Sequence, residues 1–166
     1  MPHHRRRRQG TERVKVQPTT PPVPYDVEFS DIAAKAYANL HQKMRDAEAR
    51  GEMTSSHHTT FRMIEEVVKK VIPHEPINKR FGLSGPLSKF FRIKKGRHRI
   101  CWAASSEKRT VCILFISETL RKEGDVNDPY KIFTKLVMSG EYKDILGRLG
   151  LVGPQVSGYA PQPPIN

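Results

Sequence analysis

The hydrophobic pattern of this chain changes period at Pro73, from helical to alternating, and that change limits the fold more than any other feature. Upstream, Ile32, Ala36, Tyr37, Leu40 and Met44 recur at helical steps behind the cap candidates Ser30 and Asp31, with Gly51 as a stop. Phe61, Ile64, Val67, Val68 and Val71 repeat the pattern behind Thr59 or Thr60, and Pro73 ends it. Such spacing lays an apolar stripe along each helix, so the segment predicts a helical hairpin. Downstream the period is two. Phe90 to Lys94 runs through Lys95-Gly96-Arg97 into Arg99 to Ala103, and Ser105 to Lys108 forms a second turn. Thr110 to Ser117 is almost wholly apolar, as a central strand covered on both faces should be. Val23, Tyr25 and Val27 alternate and predict a further strand at an edge, and Asp128-Pro129 opens a last helix that carries Tyr130, Ile132, Phe133, Leu136 and Val137 to a stop at Gly140. The order (β)ααβββα predicts an α+β domain, a helical hairpin packed on a small antiparallel sheet with a C-terminal helix.

One core is what a chain of 166 residues supports. Nine of the thirteen prolines fall in the first 24 residues or from Pro154 onward. The expected organisation is therefore a disordered basic arm over 1–24, a folded domain over 25–150 and a disordered Pro-rich tail over 151–166. No stretch reaches the roughly 18 apolar residues of a membrane helix, and Arg5 to Arg8 is not followed by the apolar run of a secretory leader. A cytoplasmic protein is expected. Cys101 and Cys112 have no zinc spacing, His57-His58 and His74 fit no ligand pattern, and no phosphate cradle of the G-x-x-x-x-G-K type occurs, so neither metal nor nucleotide cofactor is expected.

The formal charge of +12 points to a polyanionic partner, and its distribution says where that partner is held. Residues 79–109 carry ten basic side chains and one acidic, with no carboxylate between Lys79 and Glu107. If Lys94 to Arg97 is the loop, Arg92 lies opposite Arg99 and Ile93 opposite His98. Like charges across a ladder cost about 0.2 to 1 kcal/mol, so arginines kept there suit a phosphate that accepts bidentate bonds. Edge strands also carry Lys and Arg against aggregation, and alternation alone leaves both readings open. Trp102, Phe90 and Phe91 read as core residues rather than base-stacking ones.

Arg92 before the Gly96-Arg97-His98-Arg99-Ile100 turn, then Glu118-Thr119-Leu120-Arg121-Lys122 with Gly124, then Asp128, Tyr130 and Phe133, form an ordered set. In order and spacing the set resembles the RelE-like superfamily of toxin ribonucleases, its YhaV branch in particular, with Pro129 where that branch has alanine. The likeness covers roughly Tyr25 to Gly150 and leaves both tails outside. It implies a RelE-like fold and a metal-independent endoribonuclease of a toxin-antitoxin system, cutting messenger RNA, usually at the ribosome, and silenced by a cognate antitoxin. It also implies catalytic roles for Arg92, Arg99, Arg121 and Tyr130. Lys89, Lys94, Lys95, Arg97 and His98 are the accompanying candidates for RNA contact. Arginine is no base at neutral pH, so the guanidinium groups stabilise phosphoryl charge while Tyr130, preferred to His98, moves the proton. The competing reading is a non-catalytic basic module that only holds RNA or DNA.

Overall fold

A computed structural model describes residues 22–118 and 128–151. The expected arm over 1–24 lies almost entirely outside these residues, as do nearly all of the tail over 151–166 and the segment that holds Arg121.

A four-stranded sheet in the order β1-β4-β3-β2 separates two layers of helix. Its strands are β1 (Asp26–Phe29), β2 (Phe91–Lys95), β3 (His98–Ser105) and β4 (Thr110–Ile116). The meander β2-β3-β4 is antiparallel, as the sequence predicts, whereas β1 adds in parallel along β4 with Asp26 beside Thr110. That parallel edge is the one departure from an antiparallel sheet. β4, like most of β3, is covered on both faces: Val111, Ile113 and Ile116 enter the core under one layer, and Cys112, Leu114 and Phe115 enter the core under the other.

The first layer is the hairpin of α1 (Asp31–Ala49) and α2 (Ser56–Glu66). Ala33, Ala36, Leu40, Met44 and Ala47 are the buried stripe of α1. Ser30 caps this helix by accepting from Ala33 N–H at 3.0 Å, and its hydroxyl donates to Leu114 O at 2.8 Å, so one side chain ties the helix start to the central strand. The second helix begins at Ser55, which accepts from His58 N–H at 3.2 Å, rather than at the expected Thr59 or Thr60. Its last turn widens over Val67–Val71, where Ile72 N–H reaches Val67 O, and it stops at Pro73 as expected.

The second layer is α3 (Pro129–Met138) with α4 (Lys143–Arg148), a short helix that the sequence reading did not foresee. Asp128 caps α3 by accepting from Tyr130 N–H at 2.8 Å, and Pro129 takes the first helical position. Phe133 meets Phe90 edge-on at 5.5 Å, and the buried Tyr142 hydroxyl donates to Leu114 O at 2.9 Å.

Because Ser30 both caps α1 and fills a buried acceptor, Ser30→Ala should cost about 2 kcal/mol of stability in urea unfolding. A change below about 0.5 kcal/mol, the ordinary surface range, contradicts that double role.

Candidate active site

The β2-β3 hairpin aims the charge. Its loop is Gly96-Arg97, closed by Lys95 opposite His98. Gly96 lies at φ +59°, at the loop position where a II′ turn calls for glycine. The pairing read from the sequence, Arg92 opposite Arg99 and Ile93 opposite His98, is thereby corrected: Arg92 faces Cys101, Lys94 faces Arg99 and Ile93 faces Ile100. A shift of two residues preserves the side of every side chain. Arg92 and Arg99 therefore still share a face, as diagonal neighbours, and Lys94 stands directly across from Arg99.

That face looks toward α3. Tyr130, exposed in the first turn of the helix, lies near Arg92, whose Cζ is 5.5 Å from the centre of the phenol ring. Arg92, Lys94, Arg97, Arg99, Asp128, Pro129 and Tyr130 line one cleft of about 250 Å³. Four cations thus meet one carboxylate, and that carboxylate caps α3. Among the described residues, none of the four cations enters an ion pair. A wider hollow of about 430 Å³ beside Tyr25 and Pro73 gathers no such set, and its single cation, Arg109, lies over the Tyr25 ring and donates to Val23 O.

Arg99 is held from several sides. Its Nη1 donates to Gly96 O and His98 O, both at 3.0 Å, which keeps the guanidinium at the turn. Its backbone N–H donates to Ser117 Oγ at 2.8 Å, and Ser117 N–H donates to Arg99 O at 3.0 Å. His98 is buried on the opposite side of the sheet, where Nδ1 donates to Ser117 O at 3.0 Å. Sequence reasoning missed buried Ser117, because a lone serine at the end of an apolar strand carries no pattern.

Cys101 lies beneath the cations. Burial pushes its thiol up to about 12, against the pull of Arg92 and Arg99, so both guanidinium groups act on one point of the sheet. Cys112 is likewise raised to about 11, chiefly by burial.

Of the candidates named from sequence, Arg92, Lys94, Arg97, Arg99 and Tyr130 come together in this cleft. Lys89 does not: its Nζ donates to Leu151 O at 3.4 Å. Lys95 leaves from the other face of β2, and His98 is in the core. Arg121 lies outside the described residues.

The sequence matches the model of the YhaV toxin family, described as a toxin with endonuclease activity, of toxin-antitoxin system, over residues 27–150. No curated protein matches at a significant level. Among solved structures, the toxin-antitoxin complex RelBE2 from Mycobacterium tuberculosis is 20% identical, with 60% of this chain and 95% of that chain covered and a TM-score of 0.44. A double arginine-to-alanine mutant of Escherichia coli RelE in the free state is 16% identical, with 69% and 99% covered and a TM-score of 0.40. The isolated E. coli RelE toxin is 16% identical, with 69% and 97% covered and a TM-score of 0.37.

A thiol held near 12 stays protonated at pH 8 to 9, where an ordinary cysteine ionises. Cys101 should therefore resist a thiol reagent at pH 8.5 in the folded protein and react at once in guanidinium chloride. Rapid modification of the native state contradicts its burial.

Proposed function

This chain belongs to the YhaV family of toxins with endonuclease activity, and on that premise we propose that it cleaves messenger RNA without a metal, by attack of a ribose 2′-hydroxyl on the adjacent phosphorus in the cleft between β2, β3 and α3. The observation that carries the proposal is the convergence of Arg92, Arg99 and Tyr130, from three separate elements, on one opening.

The chemistry follows from what these groups are able to do. As the 2′-oxygen adds in line, negative charge grows on the non-bridging oxygens. Arg92, Arg99 and Lys94 answer it with fixed donors, whose field requires no reorganisation during the step. Guanidinium groups stay charged at any physiological pH, so they stabilise rather than transfer protons. Tyr130 is the hydroxyl at the rim of the same cleft and has the proton-transfer role; His98, buried against Ser117 on the other face, does not reach it. The products are a 2′,3′-cyclic phosphate and a 5′-hydroxyl. Four positive side chains repel a divalent cation, and the phosphate takes the place a metal would have.

Ribosome-bound message as substrate rests on the likeness to RelE-type toxins noted in the sequence. A cognate antitoxin as partner rests on the family description. An antitoxin that covers the cleft with acidic side chains has the complementary charge. Arg121 belongs to the same proposal through its place in the sequence motif alone.

Purified protein should give discrete cuts in a translated message on primer extension, at a rate that prior treatment of the protein with EDTA leaves unchanged. Arg92→Ala and Arg99→Ala should each lower the rate by about 10²-fold or more while the circular dichroism spectrum is kept, and Tyr130→Phe should also impair cleavage. Binding without turnover by the wild type identifies a module that only holds nucleic acid, and undiminished cutting by Arg99→Ala removes the arginine mechanism.

A further inference from the structure

The cations of the hairpin do not end at the cleft. β2 is an edge strand of the sheet, and its loop residue Arg97 is exposed at the tip. Lys95, the next cation back, is exposed and leaves on the face opposite the cleft, because its partner His98 is turned into the core. On that second face a short helical turn, Lys79–Phe81, runs back beside β2. Gly82 bridges antiparallel to Phe91, and the Phe81 ring meets Trp102 edge-on at 5.5 Å. Lys79 is exposed on this turn. Arg80 beside it pairs with Glu75 and covers Phe81, so its charge is partly answered. Among the described residues Lys79, Lys95 and Arg97 enter no ion pair.

We infer that Arg97, Lys95 and Lys79 form a phosphate track that carries single-stranded RNA from the cleft, over the tip of the β2-β3 hairpin, onto the opposite face of the sheet. This rests on the nuclease reading above and adds to it a second binding segment, outside the reacting groups. From Arg92 to Lys95 the strand advances about 10 Å, so the track is within reach of the nucleotides next to the scissile one. Its lining is cationic rather than apolar, which suits a sugar-phosphate backbone better than a protein partner, whose interfaces centre on buried aromatic and aliphatic anchors. Continuity with the cleft argues the same way, since one polyanion satisfies both.

The test compares full-length protein with Lys79→Glu, Lys95→Glu and the double variant. The probes are 2′-O-methyl RNA oligomers of about three and about twelve nucleotides, which lack the attacking hydroxyl and report binding alone. In wild type the longer oligomer should bind much more tightly than the shorter. In the double variant that gain should fall about tenfold or more, and the slope of log affinity against log salt should drop by about 1.4, about 0.7 for each lost phosphate contact on a single strand. Lys35→Glu/Lys43→Glu on the exposed side of α1 changes net charge equally and should keep the gain. An equal loss in that control, or an unchanged gain and slope in the double variant, overturns the track. So does retention of RNA binding with loss of antitoxin binding, which assigns the surface to a protein. Lysine-to-glutamine versions repeat the comparison if a charge reversal unfolds the chain. Failure of the wild type to cut a translated message strikes the nuclease reading instead, and is scored separately from the oligomer data.

Discussion

Strand alternation under a buried face is the constraint from which the site follows. Ile93 and Ile100 pair across β2 and β3 and are buried beneath the α1-α2 hairpin. Once these two side chains are committed to the core, the pleat sends Arg92, Lys94 and Arg99 to the other side. No local preference of arginine is needed. The cost of gathering like charges, of order tenths of a kcal/mol for each facing pair, is offset by the burial of β4 and its neighbours. The fold therefore holds in advance a field that a free chain would scatter.

How much of this was legible in the sequence depends on how far each feature rests on periodicity. The helical hairpin, the meander and the last helix follow from spacing, and the doubly covered β4 follows from its unbroken apolar run. The start of α2 did not, because Ser55, Thr59 and Thr60 are all competent caps, and residue type alone does not say that Ser55 takes the role. The α4 helix is six residues long, too short to show a period. The parallel pairing of β1 depends on where the intervening helices return the chain, which no local pattern encodes.

The candidate site was legible to the same degree and for the same reason. A register error of two residues left the shared face of Arg92 and Arg99 intact, since the face depends only on parity. It hid the closer partnership of Lys94 with Arg99, which depends on loop length. His98 illustrates the limit of reasoning from residue type: its chemistry suits catalysis, but parity places it among hydrophobic neighbours. Ser117 marks the reverse case, a residue with no signal of its own that fixes the backbone of Arg99 through both its hydroxyl and its amide.

The pairing of β1 with β4 spans 84 residues of chain. At translation speeds of about 5 to 20 residues per second, several seconds pass between the synthesis of the first strand and that of its partner. The α1-α2 hairpin fills the first part of that interval, β2 and β3 emerge only toward its end, and α3 follows β4. The cationic face is therefore the later half of the fold, laid onto a helical layer that the ribosome has already released.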